Sequence, residues 1–319
     1  MRQAGRYMKE YRDIREKVGF LELCKRPDLA SEVTVTAAHT IGADAAIIFA
    51  DILLITEPLG FKLEFPKNDG PIIHNPFKNA QDLSRLQNTN PKESLSFVMK
   101  ALQITKQNLK KGLALIGFAG APFTVASYAI EGGSSKNFEK TKVLMRSDGK
   151  TWNAFLDRIA NATSQYLLAQ IEAGADAIQL FDSWVGTLNP LEFQTYVLPH
   201  VKKIFRSLPS ETPKIYFGAH SSHLLSEMKQ TGASVLGLDF HVELGEAWKN
   251  LKEFSIQGNL DPTVLLCDPK VIEKETKHIL DQASRRAGHI FNLGHGVLPA
   301  TNVDHVKHLI DFVHDYTSK

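Results

Sequence analysis

Gly42-Ala-Asp-Ala-Ala-Ile-Ile-Phe-Ala-Asp51 and Gly174-Ala-Asp-Ala-Ile-Gln-Leu-Phe-Asp182 share one design. A glycine able to turn left-handed stops a helix, a short step follows, and an apolar run closes on an aspartate. An apolar run without alternation reads as a strand covered on both faces, the kind found in parallel sheets. Weaker copies are Gly112-Leu-Ala-Leu-Ile-Gly-Phe118, Gly232-Ala-Ser-Val-Leu-Gly-Leu-Asp239 and Gly288-His-Ile-Phe-Asn-Leu293, and two more strands fit at Pro213–Gly218 and Phe254–Gly258. Helical periods separate them. Trp152, Phe155, Ile159, Thr163, Tyr166, Leu167 and Ile171 keep one face of a long helix, and Val303, Val306, Leu309, Ile310 and Val313 do so in the last, with Asn302 as its N-cap. The irregular spacing excludes a tandem repeat. Seven strands, with an N-terminal stub as an eighth, predict an α/β fold: a (β/α)8 TIM barrel forming a single domain over 1–319, with a doubly wound sheet as the runner-up. Two segments depart from the alternation: an excursion from Leu59 to about Asn79, and a long mobile loop over Glu131–Lys140.

The chain has 319 residues, 43% hydrophobic and 23% charged, with a net charge of +2. Such a composition buries a large core and provides no global field for nucleic acid or membrane. Anion recognition must therefore be local. The only two cysteines, Cys24 and Cys267, are far apart and lack ligand-type neighbours, which suits a reducing compartment. No apolar h-region marks a signal peptide, and the most apolar run, near Ala43–Ile55, is broken by Asp44 and Asp51. The expected location is the cytoplasm.

Reactive groups of a barrel lie just past the C-terminal ends of its strands. Those ends are Phe49-Ala-Asp51, Gly120 through Tyr128, Asp182-Ser183, His220, Asp239, Asn259-Leu-Asp261 and Gly294-His295-Gly296. The opening Met1-Arg2-Gln3-Ala4-Gly5-Arg6-Tyr7 adds two guanidinium forks around a tight turn, a means of gripping carboxylates. Each residue also has a plainer reading. The heptapeptide alone is a basic tail, Asp51 a helix cap, Tyr128 a core phenol and Ser183 the cap of a turn. His295, between two glycines, is poorly placed for packing and favours function. Glu131–Ser135 is glycine-rich but matches no phosphate-binding fingerprint. His220-Ser-Ser-His223 has a metal-compatible spacing without a third ligand nearby in sequence, and is read as solvated or loosely structural.

Taken together, Met1–Tyr7, Phe49-Ala-Asp-Ile52, Gly117-Phe-Ala-Gly-Ala-Pro-Phe-Thr124, Tyr128 with Glu131-Gly-Gly133, Phe181-Asp-Ser-Trp184, Gly258-Asn-Leu-Asp-Pro262 and Asn292-Leu-Gly-His-Gly296 resemble the uroporphyrinogen decarboxylase family over essentially the whole chain. The resemblance implies a TIM-barrel lyase of haem biosynthesis that removes the four acetate carboxyls of uroporphyrinogen III as carbon dioxide, giving coproporphyrinogen III. It implies no metal and no other cofactor, because the substrate's pyrrole accepts the electrons. It further implies a homodimer. By the same resemblance Asp51 accepts the pyrrole N–H groups and stabilises a cationic intermediate, and Arg2 and Arg6 hold substrate carboxylates. Gln3, Ala4 and Gly5 of the same turn, with Phe49, Tyr128, Ser183 and His295, complete the substrate contacts. Asp51, Arg2, Arg6, Tyr128 and His295 form the implied catalytic set. The proton donor stays open, since an arginine with a pKa above about 12 is a poor acid. The family places a helical segment and a short strand before the heptapeptide, so a truncated first strand is expected here. Two alternatives remain at this stage. One is a corrinoid-dependent methyltransferase on the same barrel, although no His-x-Cys zinc motif occurs. The other is a tetrapyrrole binder without activity.

Overall fold

The structure, a computed structural model, describes residues 3–66 and 70–318. Seven strands form one parallel, curled sheet: β1 (Ala45–Ile47), β4 (Ala114–Gly120), β5 (Ala177–Asp182), β6 (Lys214–Gly218), β7 (Val235–Gly237), β8 (Ser255–Gln257) and β9 (His289–Ile290), neighbouring one another in that order. These are the seven strands expected from the sequence, with helices covering the outer face. Gly42 (φ 73°) and Gly174 (φ 109°) take the left-handed conformation that ends each helix before its strand. The remaining pair, β2 (Leu63–Glu64) and β3 (Ile72–Ile73), is a small antiparallel ladder inside the predicted excursion.

The long helix runs over Gly149–Glu172, with Asp148 accepting from Thr151 N, and buries the predicted face around Trp152, Phe155, Ile159 and Tyr166. Phe155 stacks on Phe77 of the excursion, centroids 4.1 Å apart, which pins that excursion to the barrel. The last helix, Val303–Thr317, is capped by Asn302 as expected.

Two expectations need correction. Residues 3–8 form a turn and contribute no strand, so among the described residues no strand lies on the outer edge of β1. Asp44 O and Ile48 N of this segment bond to β4, which leaves Ala45 O and Ile47 N facing outward. The side-chain amide of Gln3 fills that slot. Its Nε2 donates to Ala45 O (2.6 Å) and its Oε1 accepts from Ile47 N (3.0 Å), the two bonds a neighbouring parallel strand would make. Helices carry closure past this edge, with Val303–Thr317 packed on Pro27–Ile41 and His314 Nε2 3.0 Å from the Asp44 carboxylate. The second correction concerns Glu131–Lys140. Glu131 ends the Pro122–Glu131 helix, and its carboxylate accepts from Thr141 N (2.9 Å) and Thr141 Oγ1 (2.8 Å) of the Glu139–Ser147 helix. The connection is a short loop strapped at both ends.

Candidate active site

The C-terminal end of β1 leaves the sheet early. Ile48 N still bonds to Ile116 O, but Phe49 N is taken by Thr34 Oγ1 (2.9 Å). On the facing strand the Gln170 amide accepts from Phe118 N and donates to Phe118 O, each at 2.8 Å. With these groups satisfied by side chains, Phe49–Asp51 turns over the rim. Asp51 is half-buried there, and its Oδ1 accepts from Leu53 N (2.8 Å), a bond that shapes the turn two residues on. The short helix Leu54–Thr56 has Leu53 at its N-cap and no side-chain cap, so the helix-cap reading of Asp51 is not met. Phe49 packs against Tyr11 (5.7 Å) and Phe20 (5.9 Å). A side chain at Gly120 would meet Ile52 Cβ and O at 3.1 Å, so the end of β4 abuts the residue after Asp51.

The opening turn docks on this same strand. From Gln3, beside Ala45 and Ile47, the chain runs to Tyr11, beside Phe49, and thus toward the C-terminal end of β1. Met8 N donates to Gly5 O (3.0 Å), closing the predicted tight turn over the buried Ala4. Tyr7 and Met8 anchor it in the core. The Arg6 side chain is exposed, and its backbone O accepts from Arg12 Nη1 (2.9 Å). Arg2 lies outside the described residues.

Tyr128 projects from the Pro122–Glu131 helix, half-buried, with its ring 5.8 Å from that of Trp184. The phenol thus sits beside the Ser183-Trp184 turn at the end of β5. Beneath it is a trio that the sequence reading missed. The fully buried Asp182 accepts from Thr124 Oγ1 (2.7 Å) and Tyr216 OH (2.8 Å), and Trp184 N donates to Thr124 Oγ1 (3.2 Å). No local signal marks Tyr216 as its partner, since it lies 34 residues away. Burial pushes the Asp182 carboxyl up to about 6, against the pull of its two hydroxyl donors. A carboxyl whose pKa is raised on folding favours the folded state only while protonated. Stability from this group is therefore full below about pH 4, the unfolded value, and falls as pH rises to about 6, by about 3 kcal/mol in all. In Asp182→Asn that decline should vanish, so the slope of unfolding free energy against pH between about pH 4 and 6 becomes more positive than in the parent. Equal slopes in urea titrations of variant and parent would contradict the assignment.

His295 is exposed on the turn after β9. That turn is fixed by Gly294 N donating to Leu260 O (2.7 Å) and by the close approach of Gly294 to Asp239 and Phe240 at the end of β7. Asp51, Tyr128, Ser183 and His295 therefore all occupy the C-terminal rim, with Asp51 and His295 on the two edge strands of the sheet. A separate recess of about 400 Å³, lined by Arg158, Gln165 and Lys203, lies on the outer helices away from this rim.

Chemistry collected at the strand ends of a parallel barrel defines an α/β-barrel enzyme. Comparison with known proteins supplies the kind. The profile of the family described as "Uroporphyrinogen decarboxylase (URO-D)" matches residues 1–316. A uroporphyrinogen decarboxylase of Chloroflexus aurantiacus is 47% identical over 99% of this chain and 90% of its own, and one of Thermus thermophilus is 43% identical over 99% and 92%. Among solved structures, a methyltransferase from Methanosarcina mazei superposes with a TM-score of 0.80 at 20% identity, covering 95% of this chain and 90% of its own; that likeness shows the shared barrel alone. The chain belongs to the uroporphyrinogen decarboxylase family and is a carboxy-lyase.

Proposed function

We propose that Asp51 is the electrostatic centre of the decarboxylation and that the opening turn holds the substrate's carboxylates over it. The substrate is uroporphyrinogen, and we assign the type III isomer. A proton added to the pyrrole carbon next to the acetate-bearing one makes an iminium-like cation. The C–CO₂ bond then breaks, its electrons flow into the ring, and carbon dioxide leaves. The exocyclic methylene left behind takes a proton to become a methyl group, and the ring carbon gives up its added proton, restoring the pyrrole. The barrier follows the cost of the cation, so a carboxylate fixed beside the pyrrole N–H groups stabilises it most where the charge is greatest. Phe49, Tyr128, Ser183 and His295 complete the contacts around the macrocycle, and Arg2 and Arg6 take its carboxylates. The working unit is assigned as a cytoplasmic homodimer, to be checked by light scattering.

One observation carries this reading: the Gln3 amide fastens the arginine turn to the strand that ends at Asp51. Anaerobic incubation with uroporphyrinogen, followed chromatographically, should show four successive carboxyl losses. In Gln3→Ala the turn loses both bonds and β1 keeps two unpaired backbone groups, each costing about 1–3 kcal/mol where water cannot replace Gln3. With the turn no longer fastened over the strand, KM should rise about tenfold, about 1.4 kcal/mol of binding. Unchanged KM in a folded Gln3→Ala would remove the docking role, whereas binding without carbon dioxide release by the parent would overturn the activity.

A further inference from the structure

We propose that His220, Asp239 and His241 form a binding site for a divalent transition metal of the zinc class. The three come from the ends of the adjacent parallel strands β6 and β7. Their candidate ligand atoms, one from each residue, all lie within 4.8 Å of one another. Asp239, whose side chain is 2% exposed, accepts from His220 N and from His241 N (3.0 Å on Oδ1). Among the described residues its only ion-pair partner is His241, with no lysine or arginine in that role. His241 Nδ1 is 3.3 Å from Asp239 Oδ2, and the two imidazole centroids are 4.4 Å apart.

Ligands at about 2.0–2.1 Å from a tetrahedral ion stand about 3.3–3.4 Å apart. The imidazole–carboxylate pair has that spacing, and the second imidazole lies close enough to join it by a small side-chain rotation. Two imidazoles and one carboxylate suit zinc, cobalt or nickel better than magnesium or calcium. Three protein ligands leave one position for water or a carboxylate. No thiolate takes part, since Cys24 is buried in the Phe20–Lys25 helix and Cys267 is on the exposed surface. His223, the partner suggested by spacing, instead bonds to Leu188 O (2.8 Å). Gly294 packs on Asp239 and Phe240, so the ion sits beside the His295 turn at the rim. The proposal stands on this geometry and assigns the ion no step in decarboxylation.

The test uses the full chain, tag-free and stripped by chelator, titrated with zinc in a calorimeter and with cobalt by absorption. One ion per chain and the intense visible bands of tetrahedral cobalt are expected. His241→Ala, which removes a surface ring, should weaken binding at least about tenfold, while His223→Ala and His314→Ala should not. Circular dichroism verifies that each variant is folded. No saturable binding by the parent, or equal affinity in His241→Ala, would overturn the site. Neither result bears on carbon dioxide release, which is measured separately.

Discussion

Asp51→Asn should fold like the parent and lose about 10²–10³-fold in kcat, the usual cost of deleting one preorganised electrostatic contact at developing charge. The fold survives because an asparagine Oδ1 can still accept from Leu53 N, the bond that shapes the turn after β1. What disappears is the negative charge. A neutral amide can accept a pyrrole N–H but cannot offset the cation formed on ring protonation. Alanine would be the worse test, since it removes this turn bond too and mixes a stability loss of about 0.5–1.5 kcal/mol into the rate. Steady-state anaerobic turnover beside a melting curve separates the two effects. Near-parental turnover in a folded Asp51→Asn would end the proposed role.

Gly294→Ala should cost about 10²-fold in kcat/KM with an unfolding free energy lowered by about 1–3 kcal/mol. An added Cβ would lie 2.9 Å from the Asp239 carbonyl carbon and from Phe240 Cα, and nearer still to Phe240 N. All three are backbone atoms of the β7 end, which cannot swing aside as a side chain would. The His295 turn must shift instead, and displacing the proposed substrate contact at His295 by about 1 Å is enough for such a loss. Gly149→Ala is the control, because nothing lies within 4 Å of a Cβ there. Denaturant unfolding and anaerobic kinetics on both variants check the contrast. Full activity in Gly294→Ala would show that the His295 turn is not held by this contact.

Wherever the determining forces were local, the sequence was sufficient. Glycine stops before unbroken apolar runs located five of the seven sheet strands, short apolar runs between them gave the other two, and a 3.6-residue period gave the Gly149–Glu172 and Val303–Thr317 helices with their buried faces. The rule that barrel chemistry lies past strand ends listed Asp51, Ser183 and His295 among several strand-end candidates, with Tyr128 on the segment that follows β4, and the family motifs singled these four out. The family motifs were legible for the same reason, being contiguous.

What only the tertiary structure decided is how polar groups distant in sequence satisfy one another. Gln3 fills the edge of β1 from 42 residues away, Gln170 serves Phe118 across 52, and Asp182 meets Thr124 across 58. The pairing of Asp239 with His220 across 19 residues likewise follows from β6 and β7 lying side by side. None of these leaves a periodic trace. A buried donor or acceptor requires a partner, but which residue supplies it is fixed only when the strands take their order around the barrel.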